Sequence, residues 1–113
     1  VHHIVLMARA PGTPYMKNAK LGEPFSPPPG KPSNAPDQGR GFYYMLGGGV
    51  EMLGVYVPGG DAYVTRPGQA RLLKAGTDLI FQMHYTANGK ETMDRSRVGF
   101  KFATAPPKER VIN

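Results

Sequence analysis

The sequence predicts an all-β sandwich, and three observations support this fold class. The chain contains 15 glycines and 12 prolines in 113 residues, which favours strands joined by irregular loops over a helical bundle. Its longer apolar runs are rich in β-branched and aromatic residues or alternate with a period of two. A chain of this length supports one modest core, so we expect a single domain over residues 1–113.

The first strand is predicted at residues 1–7, which read VHHIVLM. This run is apolar apart from its two histidines and is rich in β-branched residues, which is typical of a largely buried strand. Because the run starts at the first residue without a lead-in, we expect the chain to be a fragment of a larger protein.

A long Pro/Gly-rich loop is predicted at residues 10–40. Eight prolines lie here among Gly, Ser and Asn, and neither a helical nor an alternating period is present. Loops of this length are functional or act as linkers in most compact domains. We interpret the segment as an arm that packs over the domain or onto a neighbouring molecule, where it would support homo-oligomer formation or assembly.

Two short elements are predicted in the middle of the chain. Residues 55–57 form a strand that ends in a turn, and residues 69–74 form a strand or a single turn. The triple glycine at residues 47–49 has no following Lys-Ser or Lys-Thr, so it indicates tight backbone packing and not a phosphate-binding loop.

The clearest strand is predicted at residues 79–86, where apolar residues alternate with a second face that carries Gln82 and His84. The dipeptide Asn88-Gly89 is typical of a type I′ hairpin turn. Residues 98–103 alternate again and are predicted to return antiparallel to the first strand of the hairpin. Residues 104–113 contain two consecutive prolines and are predicted to be an exit linker.

Composition excludes several classes of protein. Cysteine is absent, so disulfides, thiolate catalysis and thiolate metal sites are excluded, and any metal must be bound by His, carboxylate, Met or backbone. The net charge of +6 is scattered and accompanies no nucleic-acid motif, so we expect no nucleic-acid partner. No run approaches the ~18 apolar residues of a membrane span. None of the three serines lies in a Gly-x-Ser-x-Gly elbow.

The three histidines are the strongest candidates for chemistry. His2 and His3 lie at the start of the chain, and His84 lies near the end of the clearest predicted strand. Three imidazoles suit copper or zinc. Neighbours on a regular strand point to opposite faces, so joint ligation by His2 and His3 needs a strand end, a bulge or an edge. Spacing alone leaves two interpretations open: a shared metal site, or histidines with ordinary protein or solvent contacts.

Three segments together resemble the first domain of the ascorbate-dependent type II copper monooxygenases. That family includes peptidylglycine α-hydroxylating monooxygenase and dopamine β-monooxygenase, and the likeness is strongest to its bacterial relatives. The segments are residues 1–7 with the His-His pair, residues 54–85 ending in His-Tyr, and residues 94–100 with an Asp-x-Ser sequence. The Pro-rich loop lies outside the resemblance.

The resemblance implies a jelly-roll type of antiparallel β-sandwich that binds one copper ion. By position, the ligands would be His2, His3 and His84, with an open position on the metal. Gln82 and Tyr85 would then support the site, Gln82 as a hydrogen-bond partner on the face of His84. In the family this copper passes electrons to a second copper domain, with ascorbate as the external reductant. The resemblance also implies a periplasmic or secreted location.

Whether the chain is itself an enzyme stays open at this point. The oxygen-activating copper of the family uses a His-x-His pair, which this sequence lacks. The chain alone is therefore not expected to hydroxylate a substrate, and its partner would be a second copper domain in the parent protein or another chain. The alternative interpretation is a metal-free β-sandwich that serves as a structural, assembly or binding module.

Overall fold

The computed structural model describes residues 1–13, 16–25 and 50–112, and all regular elements of this part are strands. The strands are β1 (His3–Arg9), β2 (Val50–Tyr56), β3 (Gln69–Ala70), β4 (Asp78–His84) and β5 (Glu109–Arg110). The described part is thus built from strands, as the composition predicts. No helix within it is long and apolar enough to cross a membrane.

The main sheet has three antiparallel strands in the order β2-β1-β4. β1 pairs with β4 without interruption, from His3 opposite His84 to Arg9 opposite Asp78. The pairing of β1 with β2 is interrupted by a register shift between Leu6 and Met7. The central strand β1 therefore begins at His3, the second residue of the His-His pair. It pairs without interruption with β4, which ends at His84.

A second, smaller sheet joins two distant segments. β3 and β5 pair in parallel, with Gln69 opposite Glu109 and Ala70 opposite Arg110. The Gln69 side-chain amide donates to Glu109 Oε2 over 2.8 Å and reinforces this register. The segment expected to be an exit linker therefore contributes a short strand.

The core lies on one face of the main sheet. Met7 is 1% exposed and packs with Val5 and Ile80, and Met16, Phe25 and Val50 pack against this group. Side chains alternate along a strand, so Val5 and Met7 share a face with His3, while Ile80 shares that face with His84. One face of the sheet thus runs from the core at its middle to the histidines at its end.

The predicted hairpin after β4 is wrong. Among the described residues every positive φ belongs to a glycine, so Asn88 does not adopt the conformation that a type I′ turn requires. Instead, the Asn88 side-chain oxygen accepts a hydrogen bond from the Lys90 amide over 3.0 Å, which is a local alternative to the hairpin. Residues 98–103 form no strand, and Phe102 in this run is 80% exposed.

The predicted strand bounds differ from the observed ones by a few residues. β1 begins at His3 and extends to Arg9, and β4 begins at Asp78 and ends at His84. Most of the Pro/Gly-rich loop predicted for residues 10–40, and the triple glycine at residues 47–49, lie outside the described residues.

Candidate metal centre

The three histidines meet at one end of the main sheet. His3 is the first residue of β1 and lies directly opposite His84, the last residue of β4. His2 comes just before β1, and its backbone N–H donates to the His84 carbonyl over 2.8 Å. The antiparallel register therefore brings together side chains from distant parts of the sequence.

The imidazole rings contact each other. The His3 and His84 rings stack with their centroids 4.0 Å apart and their planes at 23°. The His2 ring meets the His3 ring edge-on, with centroids 4.9 Å apart and planes at 62°. The Nδ1 atoms of His2 and His3 lie 3.1 Å apart, so one of them donates a hydrogen bond to the other. The rings of His2 and His84 thus each contact the His3 ring.

The position of His2 answers the objection raised by the sequence. Adjacent side chains on a regular strand point to opposite faces. His2 lies outside the strand, since β1 begins at His3, and the ring nitrogens of the pair come within hydrogen-bond distance. Because the pair lies at a strand end, the side chains of His2 and His3 can approach each other although they are neighbours in the sequence.

The electrostatic environment favours the neutral form of His3. Partial burial lowers the pKa of His3, and the nearby His84 and His2 lower it further because adjacent positive charges repel. Neutral imidazole is the form that binds a metal ion. The surroundings of His3 thus favour its neutral form.

The rings as they stand do not form a ligand set. Within residues 1–13, 16–25 and 50–112, no group of three or more His, Asp or Glu side chains is arranged to hold a metal ion. Stacked imidazoles direct their nitrogens along their edges, and His2 and His3 direct one nitrogen at each other. Rotation about χ1 and χ2 changes the direction of these nitrogens without moving the backbone.

The two residues predicted to support the site differ in position. Gln82 lies opposite Val5 on the face shared by His3 and His84, and it is half-buried. No hydrogen bond joins Gln82 to a histidine in the described part of the chain. Tyr85 directly follows β4, is 59% exposed, and donates its hydroxyl to Asp94 Oδ2 over 2.8 Å. Tyr85 is thus bonded to the following loop segment and not to a histidine.

Sequence reasoning did not assign a role to Asp94 and Ser96. The Ser96 hydroxyl lies 3.1 and 3.0 Å from the two carboxylate oxygens of Asp94. The hydrogen bond from Tyr85 lowers the pKa of Asp94 and raises the pKa of Tyr85, since it stabilises the carboxylate and the protonated phenol together. The Asp-x-Ser sequence indicated that Asp94 and Ser96 belong together, but it did not identify Tyr85 as the hydrogen-bond donor to Asp94.

Comparison with known proteins returns no relative. No protein-family model, curated protein or solved structure matches the chain. The likeness to the copper monooxygenases therefore stays a prediction from the sequence. Within the described residues, the contacts of His3 with His2 and His84 are the observation that bears on function.

Proposed function

We propose that this chain is a mononuclear copper-binding, electron-transfer domain of an ascorbate-dependent copper monooxygenase-like protein. His2, His3 and His84 would hold the metal. The observation that carries the proposal is the contact of the His3 ring with the rings of both His2 and His84 at one end of the main sheet, where His3 pairs with His84. Because the chain has three histidines in all, its complete histidine content is gathered at this point.

The donor chemistry fits copper. Imidazole binds copper well, and the chain offers no thiolate that would favour another soft-metal site. Three imidazoles leave a position for solvent, and a low-coordinate site tolerates both Cu(I) and Cu(II). When bound, copper would supply one-electron transfer. The protein residues would provide the three nitrogens, and the lowered pKa of His3 favours its neutral form.

The location of the histidines supports exchange with a partner. His2 and His84 are both exposed, and His3 is only partly buried. A site at the surface is accessible to an external reductant such as ascorbate and to a second copper domain in the parent protein or another chain. The resemblance, and not the exposure of the histidines, is the reason to propose a periplasmic or secreted location.

We propose a jelly-roll sandwich as the complete fold. The described main sheet would form one layer of that sandwich. On the face away from the core, Leu79 and Phe81 remain more than one-third exposed, and Tyr56 is half exposed. These side chains are suited to contact a second layer.

Titration with Cu(II) tests the proposal. The purified chain is expected to take up one equivalent and to give the paramagnetic resonance spectrum of nitrogen-ligated type II copper. His84→Ala is expected to weaken uptake by more than the roughly 10- to 100-fold that loss of a supporting residue typically costs, because it removes a ligand. Thr86→Ala is the matched control, since Thr86 is exposed and lies two residues farther along the chain.

The outcomes separate the proposal from its alternative. Equal copper affinity for the parent chain, His84→Ala and Thr86→Ala would overturn the ligand assignment. Absence of stoichiometric uptake by the parent chain would favour the metal-free structural, assembly or binding module. Circular dichroism of each variant checks that the strands are retained.

A further inference from the structure

A set of hydrogen bonds fastens the end of β4 to the segment that follows it. The Tyr85 hydroxyl donates to Asp94 Oδ2 over 2.8 Å, and the Ser96 hydroxyl lies 3.0 Å from the same oxygen and 3.1 Å from Asp94 Oδ1. We refer to these three residues as the Tyr85 clamp. Its acceptor is a carboxylate, and hydrogen bonds to ionised acceptors are stronger than neutral ones.

The clamp acts at the point where β4 stops. β4 ends at His84, and strand ends open locally at low free-energy cost unless other contacts hold them. On one side, the His84 carbonyl accepts a hydrogen bond from the His2 amide over 2.8 Å. On the other side, the next residue is Tyr85, whose side chain is fixed by Asp94. The backbone of His84 is therefore held from both directions.

The intervening segment adds a second constraint. Asn88 caps the Lys90 amide over 3.0 Å, which gives the chain a local turn between the two ends of the clamp. The clamp then closes the loop formed by residues 86–93. Because this loop is short, the entropy lost on its closure is smaller than for a long loop.

We propose that Tyr85 and Asp94 are positioning residues that hold the end of β4, so that the backbone of His84 stays beside His3 and, in the metal-free chain, the two rings stack. Ser96 orients the Asp94 carboxylate towards Tyr85. Removal of the clamp would loosen the end of β4 and weaken the stacking of the His84 ring on the His3 ring, while the His2–His3 contact stays in place. The consequence for copper affinity rests on the proposed function, whereas the consequence for ring stacking does not.

Two readouts test the clamp in the full chain. In the metal-free protein, nuclear Overhauser effects between the His3 and His84 ring protons report the stack directly. We expect Tyr85→Phe to weaken them strongly, because it removes only the hydroxyl. Tyr63→Phe is the matched control, since Tyr63 is 67% exposed and its ring contacts Arg71. Asp94→Asn should retain most of the stack because its amide oxygen still accepts a hydrogen bond, whereas Asp94→Ala should not.

Copper binding supplies the second readout. Tyr85→Phe and Asp94→Ala should each weaken Cu(II) affinity by about three- to tenfold, the range of one hydrogen bond, because the backbone of the proposed ligand His84 is then less firmly held near His3. The double variant should lose no more than either single variant, because both remove the same link. The copper resonance spectrum of Tyr85→Phe should also differ from that of the parent chain.

Failure of the clamp and failure of the proposed function give different results. Unchanged ring contacts in Tyr85→Phe, or equal losses in Tyr85→Phe and Tyr63→Phe, overturn the clamp whatever the copper result. Loss of the ring contacts in Tyr85→Phe and Asp94→Ala supports the clamp even if the parent chain takes up no copper. In that last case the proposed copper-binding function is overturned, whereas the proposal that Tyr85 and Asp94 position His84 is supported.

Discussion

His3 is the residue on which the candidate site depends most. It contacts both other histidines, and partial burial together with its neighbours lowers its pKa. Protons compete with metal ions for imidazole nitrogen, so a lowered pKa extends metal binding to more acidic solutions. The contacts that pack the rings therefore also favour the neutral form of His3.

The lowered pKa of His3 predicts a pH-dependent stability of the metal-free chain. The unfolded chain accepts a proton on His3 near pH 6.5, whereas the folded chain resists it. The unfolded state thus binds more protons below that pH, and the free energy of unfolding falls as the pH decreases from about 6.5 towards the lowered folded pKa. Urea unfolding between about pH 7.5 and pH 5 measures this slope. His3→Gln should show a smaller slope, and equal slopes would contradict the account.

Only part of the site follows from the sequence at this scale. The resemblance selected His2, His3 and His84, and the structure places them in contact. The stacking of His3 on His84 depends on rotamers that no sequence period encodes. The bond from Tyr85 to Asp94 spans nine residues across a turn, so it depends on how the loop folds back.

At the scale of elements, β1 and β4 determine both the core and the site. Their uninterrupted register aligns Met7 with Ile80 in the core and His3 with His84 at the end. A shift of one residue would move every one of these side chains to the other face. Burial of Met7 and its neighbours therefore fixes the pairing that brings the histidines together.

Truncation of Met7 tests this link between core and sheet. Met7 is 1% exposed, so Met7→Ala leaves a cavity and should lower the free energy of unfolding by about 2–5 kcal/mol. Met93→Ala removes the same atoms from a side chain that is 97% exposed, and it should change the free energy of unfolding by less than about 0.5 kcal/mol. Urea unfolding at neutral pH measures both. Equal losses would show that the assigned core does not stabilise the sheet.

Strand prediction succeeded where apolar residues are buried and failed where they are not. The runs that became β1 and β4 supply the buried residues Val5, Met7 and Ile80. Residues 98–103 alternate just as clearly, but Val98, Phe100 and Phe102 all remain exposed and no strand forms. Alternation of apolar and polar residues shows that a segment could present one apolar face. A strand forms only if the segment also pairs with a neighbouring strand and packs that face against the core.

At the scale of the whole molecule, the described part combines a small core with a cluster of all three histidines. The buried hydrophobic residues of this part are Val5, Met7, Ala8 and Ile80, all on the two strands that meet at the histidines. A ligand that binds only the folded state adds to its stability. Copper binding would therefore stabilise the same strand pair that creates the site.

The net charge of +6 would also attract an anionic reductant.

The most direct test of the copper proposal is X-ray absorption at the copper edge of the chain loaded with one equivalent. The account predicts imidazole scattering from three histidines in the parent chain and from two in His84→Ala, with Thr86→Ala identical to the parent. A spectrum with fewer than three imidazoles in the parent chain, or one that His84→Ala leaves unchanged, would contradict it.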